Sequence, residues 1–156
     1  MRSSLARRLF RIRRSERGGA LVELAVVLPV IVLIAIGVMD YGRVYYTSVT
    51  VVNAARAGAE WGAYGRNGSV TDNTEIQNFA KLEGAEAGTI NVTSHMVCRC
   101  TPGGATVSCT TTCSGGYGAP QVYVTAIATK TVTLLLKYPG LPSTVTISDS
   151  ATFRAN

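Results

Sequence analysis

Glu23 has the most unusual chemical surroundings in this sequence. It is the only charged residue between Arg17 and Asp40, and it is fourth in a run, Ala20–Met39, in which thirteen of twenty residues are Leu, Ile or Val. An ionised carboxylate is costly in such surroundings, so an acid placed there marks a site where it is paired or drawn to a surface. Just ahead of it lies Gly18-Gly19. A glycine pair has little bulk and weak helix propensity, so a protease can take that bond in extended form. The second chemical feature is a set of four cysteines, Cys98, Cys100, Cys109 and Cys113, within sixteen residues. Their C-x-C and C-x3-C spacing matches neither a redox C-x2-C pair nor the paired knuckles of a zinc site, which leaves disulfides as the expected state. His95 is the sole histidine and is expected to be an ordinary, partly buried strand residue. No phosphate-binding glycine loop and no constellation of carboxylates accompanies it. The sequence therefore predicts a protein that is not an enzyme and has neither cofactor nor metal.

The element that positions Glu23 is a membrane span. The thirteen branched residues of Ala20–Met39 contribute about −4 to −8 kcal/mol of insertion free energy, more than a single acid near one end opposes. Twenty residues at a rise of about 1.5 Å also match a hydrocarbon core of about 30 Å. Charge sets the orientation. Seven arginines (Arg2, Arg7, Arg8, Arg11, Arg13, Arg14, Arg17) face only Glu16 in residues 1–17, whereas from Gly18 onward eight basic residues balance eight acidic ones. The excess of +6 thus belongs to a basic leader, residues 1–18, which the positive-inside rule places in the cytoplasm. Positive charge confined to that leader fits anionic lipid headgroups and argues against a nucleic-acid partner. An ordinary cleaved signal has a shorter apolar core and a small-x-small exit, but this run ends in Val38-Met39-Asp40. Arg7-Arg8-Leu9-Phe10 is only a faint twin-arginine pattern in a leader this basic.

One helix is predicted to run from Gly19 to Tyr64, with a kink at Pro29, whose ring clashes with the carbonyl of Ala25. Past the span, Tyr41, Tyr45, Ser48, Val52, Ala55, Ala59 and Gly62 recur at steps of three and four and form a candidate packing seam. Tyr45, Tyr46 and Trp61 read as interfacial or packing aromatics. Gly65 and Asn67-Gly68 end the helix. Residues 65–156 are expected to form a small extracytoplasmic head. A loop covers 65–74, and a short helix Glu75–Ala87 is capped by Thr74. Strands are then marked by Ile90, Val92 and Val97; Val107; Val122 and Val124; Val132, Leu134 and Leu136; and Val145 and Ile147. Turns fall at Pro102-Gly103, Gly115-Gly116 and Pro139-Gly140. The fold class is α+β: a long N-terminal transmembrane helix continuing into a head with an antiparallel β-sheet. A core of about 90 residues gains from covalent support. Nested pairs, Cys98–Cys113 and Cys100–Cys109, are the favoured connectivity, although all three pairings are compatible with the spacing.

Arg17-Gly18, Ala20, Val22-Glu23, Ala25 and Leu28-Pro29, then Asp40-Tyr41-Gly42-Arg43 and Asn53-Ala54-Ala55-Arg56-Ala57-Gly58-Ala59, resemble the TadE-like family. The resemblance covers about residues 16–63. Leu24 stands where the family often has an aromatic, and Glu60 where it often has an arginine. The family consists of pseudopilins or pilus assembly proteins of the tight-adherence (Flp, type IVc) pilus system, so the resemblance implies a pilin-like architecture. It further implies cleavage by a prepilin peptidase at the Gly18–Gly19 bond, which makes Glu23 the fifth residue of the mature chain. Glu23 would then meet the Gly19 amine of a neighbouring subunit, and Pro29 would loosen the helix for packing or extraction. The implied partners are the peptidase, other pilins or pseudopilins, the inner-membrane assembly platform and membrane lipid. The implied location is the inner membrane, N-terminus cytoplasmic and head outside, or the pilus itself. The alternative is a signal-anchored extracytoplasmic binding domain with no filament role.

Overall fold

A computed structural model describes residues 16–65, 72–115, 118–137, 140 and 142–155. Most of the basic leader, the Arg66–Thr71 part of the expected loop, and Gly116 and Pro139 of two expected turns lie outside the described residues. The elements are α1 (Glu16–Tyr64), α2 (Asn73–Glu83), a 3-10 turn at Ala85–Ala87, β1 (Asn91–Arg99), β2 (Thr106–Val107), β3 (Gln121–Thr133) and β4 (Thr144–Arg154). The chain is α+β, with an N-terminal helix of membrane length followed by one four-stranded antiparallel sheet. It divides into two compact units at Met39/Asp40, inside α1.

The described residues of the first unit form bare helix. From Gly18 to Met39 every residue is exposed except Ile36, which is partly so. Leu, Ile and Val side chains with no protein cover require another apolar environment, and a helix satisfies its backbone internally as lipid demands. The helical assignment runs through Pro29 without a break.

In the second unit the remaining part of α1, together with α2, covers one face of the sheet. Strand order is β2-β1-β3-β4, with every neighbouring pair antiparallel. Alternation along β3 turns Val124, Ala126, Ala128 and Val132 inward, and Val92 and Cys98 do the same on β1. The opposing stripe of α1 is built from small residues. Val51, Ala54 and Ala55 pack with Ala80, Ile90, Val92 and Ala128, and Ala59 packs with Ile76, Val124 and Ala126. Two glycines make that approach possible. A Cβ on Gly58 would lie 2.7 Å from the Cβ of Ala80, and one on Gly62 would lie 2.6 Å from Cδ1 of Ile76 and 2.7 Å from Cγ1 of Val124.

Three sequence expectations are corrected here. The buried stripe of α1 begins Asp40, Thr47, Val51, Ala54, one residue away from the expected Tyr41–Ser48–Val52 seam, which joins it only at Ala55, Ala59 and Gly62. Tyr41 is 73% exposed. The rotation brings Asp40 inward, where backbone donors await it, and back-bonds from Thr47 Oγ1 to the Arg43 carbonyl (2.8 Å) and from Thr50 Oγ1 to the Tyr46 carbonyl (3.0 Å) satisfy the buried hydroxyls. Next, α2 starts earlier than Glu75: Asp72, not Thr74, is its N-cap and accepts from the Thr74 N–H at 2.9 Å. Gly84 ends it, and only a 3-10 turn continues to Ala87. Finally, Val122 to Val132 lie on a single strand of 13 residues, and Leu134 and Leu136 fall beyond it.

The outer face of the sheet is hydroxylic. Thr125 bonds Thr152 (2.8 Å), Thr129 bonds Ser148 (3.0 Å) and Thr131 bonds Thr146 (3.1 Å) across β3 and β4. His95 is exposed on this face, opposite Thr125, rather than partly buried as expected.

Candidate functional site

Gly18, Gly19 and Glu23 occupy the first turns of α1, and all three are exposed. Residues four apart share a helix face, so Gly19 and Glu23 lie one above the other. A Cβ on either Gly18 or Gly19 would meet nothing within 4 Å. The glycine pair is helical here, because α1 begins at Glu16 rather than Gly19. A protease that needs an extended chain must therefore unwind the first turn. Two glycines, each about 1 kcal/mol poorer than alanine in a helix, make that turn easier to open than one built of alanine. The arrangement can present a cleavable bond, and after cleavage an amine one turn from a carboxylate.

The cysteines are all paired, but not as nested loops. The bonds are Cys98–Cys109 and Cys100–Cys113, with Cα separations of 5.1 and 5.5 Å. The correction follows from register. A tight turn closes at Thr101–Gly104, with the Gly104 N–H on the Thr101 carbonyl at 3.0 Å and Gly103 at φ +75°. That turn sets Cys98 opposite Val107, not opposite Cys113. β2 is only two residues long, and the Thr111 N–H then bonds the Ser108 carbonyl (3.0 Å), turning Cys109 back to Cys98. Cys113, bridged to Gly118, is the one left for Cys100.

Asp40 was not singled out from the sequence as a structural element. Its carboxylate accepts the Leu135 N–H at 2.9 and 3.0 Å and the Leu136 N–H at 3.1 Å, 95 and 96 residues along the chain. Arg43 Nη1 stands 3.8 Å from Oδ1, with its side chain half exposed while that of Asp40 is 11% exposed. The Leu135 N–H above all, then that of Leu136, holds the Asp40 carboxyl below its ordinary range; partial burial opposes this and Arg43 adds to it. The only sequence signal was an acid directly ending an apolar run. Nearby, Tyr46 donates to Glu86 Oε2 at 2.9 Å, and that carboxylate raises the phenol above its ordinary value. Arg43, Tyr46, Glu86 and Lys130 line a cleft of about 380 Å³. Lys130 Nζ is committed to the Thr89 carbonyl at 2.6 Å. Trp61 stacks on Phe79, with ring centroids 4.5 Å apart and planes 10° apart. Among the described residues no group of three His, Cys, Asp or Glu gathers to hold a metal ion.

A helix long and apolar enough to cross a membrane, opening on an exposed glycine pair and a carboxylate and followed by an α+β head, is consistent with a single-pass membrane protein. Residues 18–60 match the family model of TadE-like proteins, so this stretch of α1 is a TadE-like segment. No curated protein and no solved structure matches the chain.

Proposed function

We propose that this chain is a membrane-anchored, non-enzymatic subunit associated with a tight-adherence pilus, made as a precursor and processed at the Gly18–Gly19 bond by a prepilin peptidase. Cleavage removes the arginine-rich leader and frees the Gly19 α-amine, which is largely protonated at neutral pH with a reference pKa of about 7.7–8.0. Glu23, one turn further on, then offers an opposite charge at the same membrane depth. An ammonium and a carboxylate from adjacent subunits offset part of each other's desolvation, whereas either one alone bears the full cost. The protein thereby acts as a minor pseudopilin, assembling with other pilins and the inner-membrane platform while its head lies outside. Pro29 weakens the helix locally by removing one backbone donor, which eases packing or extraction.

One observation carries this reading: Gly19 and Glu23 are exposed and stacked on the first turns of an apolar helix that matches the TadE-like family model. N-terminal sequencing of membrane-extracted protein tests it. Mature chain beginning at Gly19 is the expected result, and material beginning at Met1 returns the protein to a plain signal-anchored domain. Glu23→Gln should leave cleavage intact while abolishing co-purification with partner pilins; normal assembly by that variant refutes the pairing role.

A further inference from the structure

Three consecutive leucines, Leu134, Leu135 and Leu136, follow β3. Leu135 is 60% exposed, its neighbours are half-buried and Lys137 is exposed. The Leu135 and Leu136 N–H groups are the donors that fill the Asp40 carboxylate at 2.9–3.1 Å. Asp40 directly follows Met39, the last residue of the apolar run, on the same unbroken helix. The backbone of this loop is thus hydrogen-bonded to the side chain that directly follows the apolar run.

We propose that the Leu134–Lys137 loop is a membrane-docking element. It seats Leu135 in the interfacial layer of the bilayer beside the exit of α1, and Lys137 reaches the lipid phosphates. The proposal rests on reading Ala20–Met39 as a membrane span. Placement and size both select lipid as the occupant. The covalent step from Met39 to Asp40 sets the depth of the loop, and one exposed leucine flanked by two half-buried ones is far smaller than a stable protein interface of about 800 Å² per partner. Arg43, half exposed one turn past the span, adds a second cation at the headgroup level. Leu82 provides the contrast. It is 71% exposed on α2, two residues before Gly84, whose neighbourhood includes Ala54. Ala54 is fourteen residues past Asp40, about 21 Å along the helix. Leu82 is as apolar and as exposed as Leu135, but no hydrogen bond ties its backbone to Asp40.

The test uses the full chain with both disulfides intact. Ile34→Cys, Leu82→Cys and Leu135→Cys variants are labelled singly with an environment-sensitive fluorophore and reconstituted into phosphatidylcholine–phosphatidylglycerol vesicles. Lipids brominated at shallow or deep acyl positions then serve as quenchers. Deep bromines should quench the label at residue 34, shallow ones should quench that at residue 135 at least twofold, and neither should quench that at residue 82. Adding Asp40→Ala should bring quenching at residue 135 down to the level at residue 82; undiminished quenching overturns the role given to Asp40. No quenching at residue 34 defeats the span and the docking element together. Quenching at residue 34 but not at residue 135 overturns the docking element alone. Equal quenching at residues 82 and 135 also overturns it, because the head then lies against the bilayer without a specific loop. Trp61 emission in each variant reports whether the head is folded.

Discussion

The two halves of α1 solve opposite problems with the same backbone. From Ala20 to Met39 the helix carries large branched side chains on every face and buries none of them against protein. From Asp40 to Tyr64 it carries Ala, Gly, Thr and Val on one face, and that face is closed against α2 and the sheet. Large apolar residues fit where the surrounding medium adapts to any shape. Small ones are needed where a rigid partner must come within a few ångströms, because interiors are packed as densely as organic crystals. Hydrophobicity alone would rank the first half as the better core, yet the second half forms it.

Paired substitutions can break that comparison. The largest expected effect is Ile76→Ala, which empties a fully buried position against α1 and should cost the head about 2–5 kcal/mol, whereas Ile34→Ala should leave head stability unchanged. Denaturant melts of the full chain in detergent, followed by emission from Trp61, the single tryptophan, check both. A smaller contrast uses the glycines. Gly62→Leu should destabilise by about 3 kcal/mol through overpacking against Ile76 and Val124, whereas Gly37→Leu meets open space and should be neutral in the same melt. Asp72→Ala, which removes the N-cap of α2, should cost about 1 kcal/mol.

Asp40 sharpens the comparison at the boundary between the halves. Its carboxyl is held below the ordinary value of about 3.8 in the folded chain, so its contribution is fully present above that value and is lost as pH falls through the lower, folded-state value. The head of the native protein should therefore lose stability below about pH 4 more steeply than that of Asp40→Asn. Melts at pH 3, 4 and 6 compare the two slopes, and parallel slopes would remove Asp40 from the account.

Much of the architecture was legible from residue order. The apolar run, the Tyr64 end of the helix, the Pro102-Gly103 turn and the strand alternation of Val122 and Val124 depend on neighbours within a few positions. The TadE-like signature was legible for the same reason, because its residues lie along one helix. Most of the misread features depend on distant partners. Tyr41, Tyr45 and Val52 have the right period for a seam, but periodicity cannot say which of two adjacent stripes faces the sheet. Val122 and Val132 read as separate strands because the small Ala126 and Ala128 between them carry little hydrophobic signal, and only packing against α1 explains their size. Thr74 and Asp72 are both good cap residues, and the geometry of the first turn of α2 decided between them.

The sequence by itself determined that one segment would seek an apolar medium, that its glycine pair and Glu23 would stand together at the basic end, and that four cysteines would oxidise in pairs. Each of these follows from local composition and covalent order. Tertiary structure decided which thiols joined, which stripe of α1 was buried and that Asp40 would close over Leu135 and Leu136. Those outcomes depend on register, and register is fixed only when a turn, a sheet and a helix face must all fit at once.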